Sequence, residues 1–179
     1  ERALYLTSSG HANTSSGDGL LTWQAPAQEG RDSYRYDPQD PATHIVDMSE
    51  NELEVPEDYT REEQRQDILC YTTPPLPEDV TVTGDMTAEL YISSDAPDTD
   101  FVVRVTDVGE NGRSIKLADG VLSVRYRNGF EKAEFLEEGE IACLKIRTTK
   151  LSNCFRKGHR IRVTVTSGAE NFIFPNSNT

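Results

Sequence analysis

The chain has 179 residues, a hydrophobic content of 35% and a net charge of −13 at neutral pH. This length suits one large domain, and the composition is that of a folded protein and not of a disordered one. The acidic balance repels phosphate groups, which disfavours nucleic-acid binding and binding to anionic membrane surfaces. No apolar run approaches the length of a membrane-spanning helix. Residue 1 is Glu, so we expect the chain to be a piece of a longer polypeptide.

The three cysteines, Cys70, Cys143 and Cys154, each lie beside apolar residues. An odd number without a Cys-x-x-Cys pair gives neither a zinc site nor a complete disulfide framework. We therefore expect buried free thiols, which favour a reducing compartment such as the cytoplasm.

Short strands separated by glycine, proline, asparagine and aspartate follow one another along the chain. In 159–166, for example, Ile161 and Val165 are expected to face the core, and Arg162 and Thr164 to face outward. The predicted strands are 3–7, 20–23, 34–36, 68–73, 80–83, 86–94, 101–108, 114–117, 121–127, 141–148, 152–155 and 159–166, with another beginning at 172–174.

Two turn signals lie inside the region 93–127. Asn111-Gly112 is a strong hairpin signal between 101–108 and 114–117, and Asp119-Gly120 predicts a second turn before 121–127. No long helical period is present. The pattern predicts an all-β protein, a β-sandwich for which jelly-roll topology is a plausible arrangement.

Residues 42–67 form a long connection with an acidic run between Glu50 and Glu63. Within it, 59–67 is predicted to form one or two helical turns, because Thr60 and Glu63 have the spacing of a capping box. Long connections in compact β domains are usually functional or mobile. A charge run is, however, more often a solvated surface excursion, and that is the interpretation we expect to hold.

The sequence motifs give no catalytic constellation. The Gly-x-Ser-x-Gly nucleophile elbow, the His-Glu-x-x-His zinc motif, the P-loop and the dinucleotide-binding glycine pattern are all absent from the sequence. His159 begins a strand and is expected to be a structural hydrogen-bonding residue. Asp95, Asp98 and Asp100 supply oxygen ligands of the kind that calcium prefers. Aspartates before a strand are also ordinary turn residues, and we expect this second role, with no metal and no cofactor.

Several motifs in fixed order resemble one protein family over essentially the whole chain. They are LYLTSSGHANTSSGDGLL, DILCYTTPPL, SSDAPDTDFVVRVTDV, NGRSIKLADGVLSVRYR, FRKGHRIRVTVTS and NFIFPNSNT. Together they resemble the C-terminal domain of the X-Pro dipeptidyl-peptidase and cocaine-esterase-like (CocE/NonD) hydrolases. The resemblance implies a jelly roll of galactose-binding-like type, with residues 1–179 as a single C-terminal domain.

The same resemblance implies that the parent protein is a serine hydrolase acting on esters, amides or X-Pro peptides. Its Ser-Asp-His triad would belong to an α/β-hydrolase domain of the same polypeptide, and this chain alone is expected to be inactive. In such proteins the C-terminal domain packs on the catalytic domain and lends loop residues to the substrate pocket. The loop after Asp40-Pro41 matches that role, which gives His44, Ile45 and Met48 as the expected pocket-wall residues.

Two other hypotheses stay open. An independent carbohydrate-binding module would need a row of exposed aromatic residues, but Trp23 and the seven tyrosines are scattered along the chain. A purely structural or oligomerisation domain, for which a homo-oligomer is a possible assembly, would not contact a pocket.

Overall fold

The computed structural model describes residues 2–28, 30–45 and 57–178, and it confirms the predicted all-β sandwich. The described residues contain two single-turn 3₁₀ helices, Glu62–Gln64 and Val124–Tyr126, and no helix long and apolar enough to cross a bilayer. Their strands are β1 (Tyr5–Thr7), β2 (Leu20–Thr22), β3 (Leu69–Thr72), β4 (Val80–Gly84), β5 (Thr87–Ile92), β6 (Asp100–Val108), β7 (Ser114–Ser123), β8 (Ala142–Arg147), β9 (Leu151–Phe155) and β10 (Arg160–Thr166).

One layer is a six-stranded sheet. The other is a ribbon of two paired chain segments, each of which contains two short strands. The sheet has the order β1-β2-β3-β10-β6-β7, and its pairs are antiparallel except β2 with β3. In the ribbon, β4 pairs with β9 and β5 pairs with β8. Gly84 lies opposite Leu151 and Thr87 lies opposite Arg147, so the two pairs are consecutive parts of one ribbon.

The apolar core lies between the ribbon and one face of the sheet. In a strand with one buried face, apolar and polar residues alternate along the sequence. The apolar side chains on the buried face pack against those of the facing layer. Leu90, Leu144 and Ile146 come from the ribbon, and Val103 and Val165 come from the sheet. Burial of such side chains stabilises the fold by about 1.5–3 kcal/mol each.

The hairpin predicted at Asn111-Gly112 joins β6 to β7, but the turn predicted at Asp119-Gly120 is wrong. Both residues lie inside β7, where Asp119 pairs with Arg104 of β6. The register of the β6–β7 pairing shifts between Val105 and Thr106, as it does at a β-bulge. A Cβ atom at position 120 would overlap the carbonyl oxygen of Arg147. The glycine therefore permits a close backbone approach between β7 and the end of β8 and does not form a turn.

Two other local predictions are wrong. Residues 34–36 and 172–174 are not strands. Of the one or two helical turns predicted within 59–67, one is present as the 3₁₀ turn Glu62–Gln64, but it has no side-chain cap. Thr60 does not cap it, because its hydroxyl donates to Asp58 and accepts a hydrogen bond from the backbone N–H of Ser114 at 2.9 Å.

The second face of the six-stranded sheet is also buried, and residues 57–68 cover it with polar contacts. Glu63 is only 1% exposed, and its carboxylate pairs with Arg162 and accepts a hydrogen bond from Ser114 Oγ at 2.7 Å. The guanidinium carbon of Arg104 lies 3.7 Å from the centre of the Tyr59 ring. Arg162 thus points away from the apolar core, as predicted, but is buried. Alternation predicts the face of a residue and not its exposure.

Residues 57–59 also pair with the free edge of β7. Tyr59 N donates to Ser114 O at 2.8 Å, and Lys116 N donates to Glu57 O at 3.0 Å. This pairing satisfies backbone groups that an edge strand would otherwise expose. For the described part of the acidic run, the expected solvated excursion is therefore wrong, since this segment is a structural part of the sandwich.

Candidate functional site

The expected pocket-wall segment is fixed to the protein by backbone hydrogen bonds. His44 N donates to Glu170 O and Glu170 N donates to Ala42 O, both at 2.8 Å. Ile45 N donates to the hydroxyl of Tyr59 at 2.8 Å. The structure therefore brings His44 and Ile45 together beside the segment that follows β10. Met48, the third expected residue, lies outside the described residues.

The imidazole of His44 is buried against charged side chains of β6 and β7. Its Nδ1 atom lies 3.4 Å from Arg104 Nη2 and 3.6 Å from Asp119 Oδ2. Burial lowers the pKa of His44, and the positive charges of Lys116 and Arg104 act in the same direction. A guanidinium can only donate, so a neutral imidazole with Nδ1 as acceptor fits this environment. We therefore assign His44 as neutral at pH 7.

The charges around His44 balance one another. Arg104 and Lys116 are the cations, and Asp119 and Glu57 are the anions, with Lys116 Nζ 3.5 Å from Asp119 Oδ2 and also paired with Glu57. A buried charge is tolerated only when it is paired or hydrogen-bonded. These contacts of His44 include no serine or cysteine nucleophile, so the cluster fits a packing and positioning role.

An aromatic ring covers the other side of His44. Phe172 stacks on the imidazole with ring centres 4.5 Å apart and an angle of 17° between the planes. Arg104, Asp119 and Phe172 are not among the site residues predicted from the sequence. One signal was available for the first of them, because an arginine inside the apolar run of β6 is unusual unless the charge has partners.

The three aspartates of the calcium alternative have separate environments. Asp95 is exposed on a bend, whereas Asp98 and Asp100 are buried. Asp98 Oδ2 pairs with Arg125 Nη2 at 2.8 Å, and the amide of Asn176 donates to Asp98 at 2.8 Å and to Asp100 at 3.3 Å. Within the described ranges, no group of three or more His, Cys, Asp or Glu residues is arranged to hold a metal. The two buried carboxylates instead anchor the C-terminal segment.

The cysteines are free thiols that differ in burial. Cys70 is buried, and Cys143 and Cys154 are partly buried. Burial, together with the charge of Glu63, raises the pKa of Cys70 to about 12. A thiol with so high a pKa is a poor nucleophile, which fits a packing role.

Some of the exposed large apolar side chains of the described residues lie in two segments near the end where β6 begins and β7 and β10 end, namely the loop 128–141 and the residues after β10. The loop 128–141 folds back onto this end, with Leu136 N donating to Pro97 O at 2.8 Å, and Asn176 holds the C-terminal segment there. We call this region the apolar end. Its exposed large apolar residues are Phe130, Phe135, Ile141, Phe172 and Phe174. Large apolar side chains that are exposed near one end of a domain are candidates for an interaction site.

Comparison with known proteins agrees with the fold and the motifs. The family model of the X-Pro dipeptidyl-peptidase C-terminal non-catalytic domain matches residues 1–179. The chain is 41% identical over 177 residues to cocaine esterase from Rhodococcus sp. (strain MB1 Bresler), covering 98% of this chain and 31% of that protein. A putative serine esterase from Mycobacterium bovis is 31% identical over 127 residues, covering 62% of this chain and 20% of that protein.

Solved structures with the same fold include an aminopeptidase from a marine sediment Thaumarchaeota archaeon, with a TM-score of 0.82 and 25% identity. That match covers 98% of this chain and 31% of the aminopeptidase. An α-amino acid ester hydrolase matches with a TM-score of 0.79 and 24% identity, covering 97% of this chain and 31% of that one. The chain spans about a third of the length of these two proteins and of cocaine esterase. It belongs to the family of C-terminal non-catalytic domains of X-Pro dipeptidyl-peptidase and CocE/NonD-type hydrolases.

Proposed function

We propose that this chain, as a single domain, is the accessory part of a serine hydrolase, packs on an α/β-hydrolase catalytic domain of the same polypeptide and forms one wall of its substrate pocket. The observation that carries the proposal is the apolar end, in which five large apolar side chains are exposed, one of them Phe172, which stacks on His44. Exposed apolar side chains of this kind favour contact with another apolar surface. The full-length match to a non-catalytic family supports a catalytic domain as that partner.

In the proposed division of labour, the serine, histidine and aspartate of the partner domain carry out the acyl transfer. A serine hydroxyl attacks the acyl carbonyl, histidine accepts its proton, and backbone N–H groups stabilise the oxyanion. The present domain contributes binding and exclusion of water at the acyl or leaving group. Such contacts change kcat/KM without supplying a reacting group.

The pocket-wall role is tested by replacing His44, Ile45 and Met48 with alanine in the full-length polypeptide. We expect kcat/KM for an ester substrate to fall about tenfold, which corresponds to ~1.4 kcal/mol of transition-state binding. Tyr91→Ala is the matched control, because this tyrosine is exposed on the ribbon, and it is expected to leave the kinetics unchanged. Unchanged kcat and KM in a folded triple variant would instead identify a purely structural domain.

The packing role is tested separately with charged substitutions at the apolar end. Phe130→Asp and Ile141→Asp place carboxylates on a surface that we propose is covered, so they are expected to lower the thermal midpoint of the full-length polypeptide. Tyr91→Asp is the control at an exposed site on the ribbon. Equal thermal midpoints for all three variants would contradict packing of this surface on the catalytic domain.

A further inference from the structure

A cleft lies at the end of the sandwich opposite the apolar end, beside the β6–β7 hairpin. It has a volume of about 560 Å³ and is bounded by the hairpin, the start of β10 and residues 57–68. Strand β6 runs from the apolar end to Val108, which lines the cleft, and its nine residues span roughly 27 Å. We call this region the hairpin cleft. None of its described lining residues belongs to the apolar end or to the His44 segment.

One charged side chain that lines the hairpin cleft is buried. Arg162 is only 8% exposed, its Nε atom donates to Thr72 Oγ1 at 2.8 Å, and its Nη1 atom pairs with Glu63. Within the described ranges, no group accepts a hydrogen bond from its Nη2 atom. A guanidinium has five N–H donors, and buried donors in folded proteins are satisfied. The two N–H groups on Nη2 can therefore donate to a molecule in the cleft.

A second guanidinium of the hairpin cleft has no carboxylate partner. Arg160 lies two residues before Arg162 on β10, so the two side chains are on the same face of the sheet. Arg160 is half-buried, and its one side-chain hydrogen bond to the described residues goes from Nη1 to the carbonyl of Thr73 at 3.2 Å. None of the carboxylates in these residues forms an ion pair with it. Its charge is therefore open to an anionic group that enters the cleft.

The remaining lining adds polar and apolar contacts. Ser15 Oγ accepts a hydrogen bond from Gln64 Nε2, which leaves the serine hydroxyl free to donate to a ligand. Pro75 and Val108 provide apolar surface. Glu110 is the one carboxylate among the described lining residues, and it is exposed, so water and salt screen its charge.

We propose that the hairpin cleft binds a small organic carboxylate. The carboxylate oxygens accept hydrogen bonds from Arg160 and from Nη2 of Arg162, and the apolar part of the ligand packs against Pro75 and Val108. The planar donor fork of arginine matches the geometry of a carboxylate, and such charge-assisted hydrogen bonds are stronger than neutral ones. This site lies outside the proposed pocket wall and does not depend on the proposed hydrolase function.

The test measures binding of 4,4,4-trifluorobutyrate to the full-length polypeptide by ¹⁹F NMR titration, with 4,4,4-trifluorobutyramide as the uncharged counterpart. We expect a dissociation constant on the order of 1 mM for the acid, as for other ligands of this size, and binding of the amide about tenfold weaker. Arg160→Met keeps the length of the side chain and removes its charge, so it should weaken binding of the acid about tenfold. Glu110→Gln removes the carboxylate at the rim and should strengthen binding about twofold.

Arg147→Met is the matched control, because Arg147 is an exposed arginine on the ribbon that pairs with Asp85, and it should leave the affinity unchanged. Binding of the acid at any other site of the polypeptide is the same in Arg160→Met and in Arg147→Met, so the difference between these variants reports the hairpin cleft alone. Equal affinities for acid and amide, equal affinities of wild type and Arg160→Met, or weaker binding to Glu110→Gln would each overturn the inference. Should Arg160→Met fail to fold by circular dichroism, Arg160→Gln replaces it, since its amide can still donate to Thr73, and an unchanged affinity would then overturn the inference.

Discussion

The buried ion pair between Glu63 and Arg162 connects residues 57–68 to the six-stranded sheet. Its removal gives the sharpest test of the polar layer, by which we mean the buried polar contacts between this segment and the sheet. Glu63→Leu leaves the guanidinium of Arg162, in a residue that is 8% exposed, without its carboxylate. Breaking a buried pair on one side costs about 3–5 kcal/mol. The hydroxyls of Ser114 and Thr106 lose an acceptor as well, but they still bond each other at 2.7 Å and add little. We therefore expect a loss of about 3–5 kcal/mol in the free energy of unfolding.

The double variant Glu63→Leu/Arg162→Met distinguishes a paired charge from a merely well-packed side chain. Because apolar residues of similar volume often replace a buried ion pair at little cost, we expect it to be more stable than Glu63→Leu alone. Urea denaturation followed by circular dichroism measures each free energy, and the double-mutant cycle gives the coupling. Lys145→Met is the control, since its pair with Glu89 is exposed and spans 3.6 Å, and it should cost less than about 1 kcal/mol. A loss below 1 kcal/mol for Glu63→Leu, or purely additive single and double variants, would refute the reasoning.

Three further changes have expected results by the same denaturation assay. Leu144→Ala leaves a cavity at a fully buried position between the layers and should lower the free energy of unfolding by about 2–5 kcal/mol. Tyr91→Ala changes an exposed side chain and should lower it by less than about 0.5 kcal/mol. Similar losses in the two variants would contradict the assignment of the core. Gly120→Ala brings a Cβ atom against the backbone carbonyl of Arg147 and should cost about 1–3 kcal/mol, and a neutral result would mean that β7 and β8 do not approach closely. Burial lowers the pKa of His44 below its usual value of about 6.5, so the unfolded chain binds a proton before the folded one does as the pH falls. Stability should therefore decrease from pH 7.5 to 5.5, and by less in His44→Gln; equal pH dependence in both proteins would contradict a neutral buried imidazole.

Most of the strands could be predicted, because apolar and polar residues alternate along a half-buried strand and this alternation shows which side chains face the core. In β5 and β8, Leu90 and Leu144 lie opposite each other and both face the core, as the patterns indicate. Turn chemistry was less reliable, because glycine has two uses. Gly112 has φ of 80° and forms the predicted hairpin, but Gly120 permits a close approach to another strand. Sequence alone does not separate these uses, since the second depends on the neighbouring strand.

The candidate site could be predicted only in part. The resemblance to the family indicated His44 and Ile45, and the structure places both next to Tyr59. The resemblance could not indicate Arg104 or Phe172, because these residues contact His44 but lie 60 and 128 positions away from it along the chain. Contacts between distant segments depend on how the loops cover the sheet. The local pattern of apolar and polar residues does not indicate that arrangement.

The polar contacts of residues 57–68 with the sheet also explain how this segment, whose only helix is the 3₁₀ turn Glu62–Gln64, is held in one position. Apolar contacts are not directional, so a loop held by them alone can shift without losing much energy. Residues 57–68 are instead held by a buried carboxylate, a cation–π contact and backbone pairing with β7, each of which requires one geometry. Tyr59 takes part in this arrangement and holds Ile45 through its hydroxyl. The position of the proposed pocket wall is therefore set by the polar face of the sheet, and variants such as Glu63→Leu should disturb substrate contacts even though Glu63 is buried under the segment.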